Sequence, residues 1–389
     1  MSQRRAVRGS VLALLVGVLL VPPVHSAQPS ASPLAPWRAL SAPIVFSRFL
    51  PGADMGALYR IDPDVDGETR IREVFDAAIL SPDGSRFLDF APTPEEQGST
   101  AVYALDGSGY HVLPADPALN LPGGVWSEGS HRVVTESWGL DWDAQGFGLY
   151  SRRSSDGGDL RQLTHPGDGH DFPIRSSPDG SLMVFYRPNP PGETSDSAAQ
   201  DVFAVSSQGG EEIRLSPPGT TTAFVFSHDS SGFSPDGTRI ALVLAQGAFW
   251  DTTMRSVHLW SADGSGVEAI GPVGDIWDVA WSPDGEWLAF TMSTPDTDGL
   301  HQLYLMRPDG SDVRGPTDGS DGRFSLQPVW SPDGTQILLL RGARRFSAGG
   351  PGDPHVVDLW VLDVTDGTLH QVTDVGAEYR GVTWLSSDA

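Results

Sequence analysis

Ser81-Pro82-Asp83-Gly84 is the first of five identical tetrapeptides that decide the fold of this chain. The other copies are Ser177 to Gly180, Ser234 to Gly237, Ser282 to Gly285 and Ser331 to Gly334. Each copy lies between two short runs of β-type residues. Ser and Pro at the first two positions favour a type I turn, and Gly supplies the left-handed residue that closes a hairpin. The sequence therefore predicts a tight hairpin at each copy.

Degenerate copies of the tetrapeptide extend the repeat. Trp126-Ser127-Glu128-Gly129 lies between the first two copies, and Trp384-Leu385-Ser386-Ser387 lies near the end of the chain. Counted at the Asp position, repeats start at 83, 129, 179, 236, 284, 333 and 387, spaced 46 to 57 residues apart. A period near 50 residues with four short strands in each unit is typical of a β-propeller.

One repeat shows all four strands, which the alternation of apolar and polar residues predicts at Ile276 to Trp281, Trp287 to Met292, His301 to Arg307 and from Val313 onward. The last repeat offers only an innermost strand, Gly381 to Leu385. The N-terminal part offers three strands without an innermost one, at Ile44 to Arg48, Ala57 to Asp62 and Thr69 to Val74. We therefore predict an all-β, seven-bladed propeller of four-stranded antiparallel blades, closed by the C-terminal strand and the N-terminal three. Six blades is the alternative.

The repeat resembles that of a known family. W-S-P-D-G at Trp281 to Gly285 and at Trp330 to Gly334 is followed by an apolar strand, a Leu-Tyr or Leu-Trp strand and an Asp-Gly turn. This pattern is similar to the WD40-like repeat of TolB-like β-propellers, and the resemblance covers essentially the whole mature chain. TolB proper has a small α/β domain ahead of its blades, which we do not expect before residue 41. Such propellers occur as binding modules, as domains attached to peptidases and in a few lyases, so the resemblance implies the fold more than the function.

The N-terminus has the pattern of a secretory signal peptide. Arg4, Arg5 and Arg8 precede an apolar stretch from Val11 to Val21, which is too short to span a bilayer comfortably. We predict a signal peptide over residues 1–26, a flexible Pro-, Ser- and Ala-rich leader over 27–40, and the propeller over 41–389. The mature protein is then exported to the periplasm or the medium and does not span the membrane after cleavage.

The amino-acid composition limits the partners and the kinds of catalysis that this chain can have. The net charge is −25, which disfavours nucleic acid and anionic lipid as partners. The chain has no Cys and no Lys, which excludes disulfides, thiol chemistry and lysine catalysis. It also lacks G-x-S-x-G and H-E-x-x-H motifs.

Two sets of residues are candidate sites. In a propeller, the Ser-Pro-Asp-Gly hairpins and the Asp-Gly turns share one face. The loops between second and third strands and the loops between blades share the other face, which we call the long-loop face because it carries the long insertions. Insertions on a rigid scaffold often bind ligands. The candidate ligand-binding residues are Trp138, Asp141, Trp142, Asp143, Phe249, Trp250, Asp251, Arg344 and Arg345. The candidate residues at the mouth of the central channel are Asp76, His170, Asp171, Asp275, Asp278, Gln327 and Arg380.

Exposed aromatic rings beside carboxylates suit a protein, peptide or glycan ligand, although the same side chains could simply hold the loops against neighbouring blades. We therefore predict a binding propeller without catalytic activity, of unassigned oligomeric state. The alternative is a polysaccharide lyase or hydrolase that uses a metal in the channel. We predict no cofactor. Asp62, Asp64, Asp66 and Gly67, followed by Glu73, match a calcium loop formally, but the segment is more simply a lengthened Asp-Gly hairpin turn.

Overall fold

The computed structural model describes residues 39–92, 98–114, 116, 119, 121–138, 147–166, 170–188, 200–216, 232–245, 255–343 and 356–386. Within these residues the strands form six antiparallel sheets, of which five have four strands and one has five. A 3-10 turn at Pro295–Thr297 lies between two strands of the five-stranded sheet. The described part of the chain contains no helix long and apolar enough to cross a membrane.

The first three sheets follow the chain from its N-terminal half. The closing sheet has the order β25 (Glu378–Trp384), β1 (Ile44–Phe49), β2 (Gly56–Ile61) and β3 (Glu68–Val74). The next contains β4 (Ile79–Leu80), β5 (Arg86–Pro92), β6 (Gly98–Ala104) and β7 (His111–Val112). The third contains β8 (Val125–Ser127), β9 (Arg132–Trp138), β10 (Phe147–Arg153) and β11 (Arg161–Gln162).

The other three sheets follow in the same order. One contains β12 (Phe172–Ser176), β13 (Leu182–Pro188), β14 (Gln200–Ser206) and β15 (Ile213–Arg214). The five-stranded sheet contains β16 (Arg239–Ala245), β17 (Arg255–Ser261), β18 (Val267–Trp281), β19 (Leu288–Ser293) and β20 (His301–Met306). The last contains β21 (Arg323–Trp330), β22 (Gln336–Ala343), β23 (Asp358–Asp363) and β24 (Leu369–Gln371).

The described residues form a β-propeller of antiparallel blades, as predicted, but their six sheets match the alternative count and not the predicted seven blades. The reason lies in β18. Its first part pairs with β17 from Val267 to Gly274, and its second part pairs with β19 from Asp275 to Trp281. Two sequence repeats that were counted as separate blades are therefore joined by one continuous strand into a single sheet.

The Ser-Pro-Asp-Gly hairpins form as predicted. In the copy at Ser234, the serine Oγ donates to Asp236 Oδ1 at 2.5 Å, and the same carboxylate oxygen accepts the amide of Thr238 at 3.0 Å. Gly237 has a φ of 71°, the left-handed value that favours glycine. The Ser-to-Asp bond and the positive φ recur in all five copies. Each hairpin is thus fixed by its own side chains.

The tryptophan before the hairpin links neighbouring repeats. Trp126 Nε1 donates to the carbonyl of Ile79 at 2.9 Å, and Trp384 Nε1 donates to that of Val329 at 3.0 Å. Trp281 and Trp330 reach back in the same way to Gly232 and Ala280, at 3.3 and 3.4 Å. Burying an indole ring while its N–H is satisfied stabilises the contact between repeats, and it explains why Trp occupies this position.

The core consists of apolar layers between the sheets. One layer joins the last sheet to the closing sheet and includes Phe46, Leu338, Leu359 and Trp384. β25 pairs with β1 from Trp384 opposite Ile44 to Glu378 opposite Phe49, so the C-terminal strand completes the N-terminal sheet as predicted. This pairing joins the first and last strands of the described residues within one blade and closes the ring.

Candidate functional site

Most of the predicted ligand-binding residues lie outside the described residues. These are Asp141, Trp142, Asp143, Phe249, Trp250, Asp251, Arg344 and Arg345. Trp138 is the last residue of β9, where the chain enters the insertion. The role of this set in ligand binding stays a prediction. The candidate site below is therefore built from residues at the bases of the long loops.

Asp76 and Arg380, two of the predicted channel-mouth residues, meet where the ring closes. Arg380 Nη1 lies 2.6 Å from Asp76 Oδ1, and its Nη2 lies 2.7 Å from Glu378 Oε1. The Arg380 guanidinium also lies over the ring of Phe49, 4.7 Å from its centroid. Burial alone would lower the pKa of Arg380, but hydrogen bonds to Glu378 and Asp76 outweigh it and raise the pKa. The pair is partly exposed, so its contribution to stability is small.

Asp171 is buried and belongs to a structural ion pair. Arg187 donates to it through Nε at 2.6 Å and through Nη2 at 2.9 Å. The same guanidinium lies 3.0 Å from Glu212. The ring of the neighbouring His170 contacts that of Phe147 at a tilt of 35°, with ring centroids 4.1 Å apart. Because both of its oxygens bind Arg187, the Asp171 carboxylate links the start of β12 to β13.

Asp275 organises a cluster that sequence reasoning only partly anticipated. Its Oδ1 accepts a 2.8 Å hydrogen bond from Trp277 Nε1, and its Oδ2 lies 3.2 Å from His301 Nε2. The His301 ring meets the Trp277 indole edge-on, with ring centroids 5.2 Å apart. The guanidinium carbon of Arg255 lies over the Trp277 indole, 5.4 Å from its centroid. We call Arg255, Asp275, Trp277 and His301 the Trp277 cluster. Trp277 is 38% exposed, so three buried or partly buried polar partners hold an accessible aromatic residue in one orientation.

Burial and hydrogen bonding set the state of the Asp275 carboxylate. Burial by itself would raise its pKa, but contacts with His301, Trp277 and Ser293 outweigh this and lower the pKa. A carboxylate that stays ionised is a strong acceptor for the indole N–H. The cluster therefore keeps Trp277 fixed across the physiological pH range.

Asp278 lies deeper, beside the next repeat. Its Oδ2 accepts hydrogen bonds from Thr291 Oγ1 and from the backbone amide of Gln327, both at 3.0 Å. Burial raises the pKa of Asp278, and these two hydrogen bonds oppose the shift. Gln327 has a φ of 51°, unusual for a residue other than glycine. Two predicted channel-mouth residues are thus joined across neighbouring repeats.

Several exposed apolar side chains lie on the long-loop face. Six of the large apolar residues exposed in the described part of the chain lie at strand ends or connections on this face: Leu50, Phe75, Val273, Trp277, Val356 and Val375. The remaining five lie on outer strands and their turns: Val65, Tyr110, Val112, Leu160 and Val267. Exposed apolar residues that share a face with a fixed aromatic residue mark a candidate interaction surface.

Sequence reasoning missed the residues that complete this surface. Arg255 and His301 begin strands on either side of β18, and only the sheet register places them beside Trp277. The segment Asp275-Ile276-Trp277-Asp278 did carry a signal, because an aromatic residue between two acids interrupts the apolar run of an inner strand. Leu50, Phe75 and Val356 border strands and look like ordinary apolar residues in the sequence.

The described residues contain no preformed metal site, because no three His, Asp or Glu side chains among them are grouped so that they could hold an ion. In the formal calcium motif, the Asp62 carboxylate lies 2.7 Å from Arg60 Nη2. Calcium binding by this motif stays a prediction, which a calcium titration of the purified protein tests.

Comparison with known proteins agrees with this architecture. No family model matches the chain. The chain is 30% identical over 195 residues to a TolB homologue from Chlorobium luteolum, a match that covers 50% of this chain and 36% of the relative. The described residues form a β-propeller that is similar in sequence to this TolB homologue and is TolB-like in that sense.

Other relatives share the fold in different contexts. The TolB-like propeller is 36% identical over 110 residues to the uncharacterised peptidase YuxL of Bacillus subtilis, which covers 28% of this chain and 16% of the peptidase. It also superposes on the β-propeller domain of the Trilobed protease from Pyrococcus furiosus with a TM-score of 0.55 at 12% identity, covering 86% of this chain and 95% of that domain. The TolB-like propeller matches well under half the length of the curated relatives named here, so their activities do not define its own.

Proposed function

We propose that this protein is a binding module without catalytic activity that recognises a protein or peptide through its long-loop face. The observation that carries the proposal is the Trp277 cluster within a face that also exposes Leu50, Phe75, Val273, Val356 and Val375. A rigid aromatic residue that is already oriented contributes contact area at little entropic cost when a ligand binds.

The aliphatic residues exposed on the same face as Trp277 favour peptide side chains over sugar as the ligand. Sugars pack on aromatic planes and hydrogen-bond to polar groups, whereas Leu and Val side chains complement the apolar side chains of a protein. The acidic character of the chain, with a net charge of −25, favours a neutral or basic partner surface.

We also propose that the protein acts outside the cytoplasm, because residues 1–26 have the composition of a secretory signal peptide. N-terminal sequencing of the protein recovered from the periplasmic, medium and cytoplasmic fractions tests this. An N-terminus at Ala27 supports export with cleavage, and an intact Met1 in the cytoplasmic fraction contradicts it.

The binding proposal is tested by capture from envelope and secreted fractions with the mature chain. Trp277→Ala is the test variant and Tyr110→Ala the matched control, because Tyr110 is 44% exposed but lies beside an outer strand. We expect a partner that is retained by the wild type and by Tyr110→Ala but is lost with Trp277→Ala. A partner that both variants retain equally contradicts the proposed face. Metal analysis of the same preparation tests the enzyme alternative, which requires a bound transition metal.

A further inference from the structure

Two arginines occupy the same position in two different repeats but have very different surroundings. Arg187 and Arg341 each lie seven residues after the glycine of a Ser-Pro-Asp-Gly hairpin, on β13 and β22. Arg187 is neutralised by two carboxylates, since it donates to Asp171 at 2.6 and 2.9 Å and lies 3.0 Å from Glu212. This is the side-on, two-bond geometry in which a carboxylate fits a guanidinium best.

Arg341 is hydrogen-bonded to one carboxylate and is more deeply buried. Its residue exposure is 2%, and only its Nη2 reaches a carboxylate, that of Asp321, at 3.1 and 3.2 Å. Within the described residues, Nε and Nη1 of Arg341 have no hydrogen-bond partner. Leaving buried N–H donors of a charged group unpaired is costly.

The register shows what is different in this repeat. Ser325 lies opposite Arg341 in the pairing of β21 with β22, and it is six residues before the hairpin serine, as Asp171 is in its own repeat. The second partner of Arg187, Glu212, is likewise replaced by Leu369. Ser325 is fully buried, and its Oγ has no partner among the described residues. Both carboxylates that satisfy Arg187 are therefore absent around Arg341.

A third residue, Trp360, adds another donor, unpaired within the described residues, beside Arg341 and Ser325. The Arg341 guanidinium lies 5.3 Å from the ring centroid of Trp360, just as Arg187 lies 4.9 Å from that of Phe203 at the equivalent position. The indole Nε1 of Trp360 is buried and, in the described part of the chain, has no acceptor. Arg341, Ser325 and Trp360 thus bring four buried donor atoms to one side of this sheet, at its long-loop end.

We propose that Arg341, Ser325 and Trp360 form a binding site for one small carboxylate, which takes the position that Asp171 has beside Arg187. A carboxylate supplies the negative charge and the acceptor lone pairs that this group of donors needs. The site is independent of the partner proposed for the long-loop face. The proposal makes a specific prediction. A carboxylate that belongs to the chain itself, such as an aspartate introduced in place of Ser325, should occupy the site permanently.

The pKa values of the two arginines agree with this difference. Burial tends to lower the pKa of Arg187, but the hydrogen bonds to Asp171 and Glu212 outweigh it and raise the pKa above the ordinary value. For Arg341, burial dominates and lowers the pKa, and the nearby charge of Asp321 only opposes the shift. A bound carboxylate would restore the balance seen at Arg187.

The test compares the melting temperatures of the wild type and two variants in sodium acetate and in sodium chloride at equal ionic strength. For the wild type, acetate at about ten times its Kd should raise the melting temperature by about 2 °C. Ser325→Asp supplies the carboxylate from the chain, so it should melt higher than the wild type in chloride and show no response to acetate. Arg341→Met removes the charge and should also show no response.

Two further carboxylates show whether the natural ligand is a sugar acid or a peptide C-terminus, and two results would contradict the proposed site. Sodium glucuronate and N-acetylglycine, each used in place of acetate, distinguish a sugar acid from a peptide C-terminus by which of them raises the melting temperature at the lower concentration. If the wild type melts at the same temperature in all three carboxylates and in chloride, the site is wrong. An acetate effect of equal size in Ser325→Asp overturns it as well, even if Arg341→Met fails to fold.

Discussion

Trp384, the last residue of β25, lies directly opposite Ile44, the first residue of β1. Both side chains are buried in the layer between the closing sheet and the last sheet. The Trp384 indole also donates to the carbonyl of Val329 at 3.0 Å. The C-terminal strand is therefore held from two directions, by the ladder to β1 and by the packing on β21.

Deletion of residues 381–389 should open the closing sheet. It removes a ladder of hydrogen bonds, each worth about 1 kcal/mol, and the burial of Val382, Trp384 and Leu385, each worth about 1.5–3 kcal/mol. This loss rivals the total stability of a domain. We expect a melting temperature far below that of the full chain, measured by differential scanning calorimetry. The control deletion of residues 387–389 leaves β25 intact. Equal melting of the two truncated proteins would show that β25 does not close the ring.

Asp89 should make the protein less stable as the pH rises. It is 5% exposed, and burial raises its pKa to about 7, against the opposing charge of Arg72. An acid whose pKa is raised in the folded state keeps a proton that the unfolded chain releases above about pH 4. The free energy of unfolding should therefore fall between about pH 4 and pH 7 and then level off.

Asp89→Asn removes this titration. We expect the variant to match the wild type near pH 4 and to exceed it at about pH 8 by as much as about 4 kcal/mol, measured by urea unfolding. Asp54→Asn, at an exposed position, is the control and should leave the pH profile unchanged. A pH profile of Asp89→Asn that runs parallel to that of the wild type would rule out Asp89 as the cause.

Arg187→Met should destabilise the protein strongly. The substitution leaves Asp171, whose side chain is 0% exposed, as a buried carboxylate without its cation. Breaking a buried ion pair in this way costs about 3–5 kcal/mol. The double variant Arg187→Met with Asp171→Leu removes both charges, so it should recover most of the loss in urea unfolding. A double variant that is no more stable than the single one would contradict the assignment of this pair as the source of the effect.

The sequence predicted strand positions well because the repeat marks them. The predicted strands at Ile44 to Arg48 and at His301 to Arg307 agree with β1 and β20 to within one residue at each end. The number of sheets was not predictable in the same way. A hairpin motif marks where a repeat starts, but it does not indicate that the outer strand of one repeat runs without a break into the inner strand of the next, as β18 does.

The candidate site was predicted only in outline. Polar residues at the starts of inner strands drew attention to Asp275 and Asp278, but their partners are set by register and by packing between repeats. The difference in surroundings between Arg187 and Arg341 cannot be predicted from either residue alone. It depends on Asp171 and Ser325 occupying equivalent places 154 residues apart, which only the sheet pairing makes evident.

The most direct test of the long-loop face is photocrosslinking in the producing cells. A photoreactive phenylalanine analogue at position 277 samples this face, and the same analogue at position 110 samples the outer surface. We predict a discrete crosslinked species from position 277, identified by mass spectrometry, that is absent from position 110. A crosslink to the same partner from position 110, with none from position 277, would contradict recognition through the long-loop face.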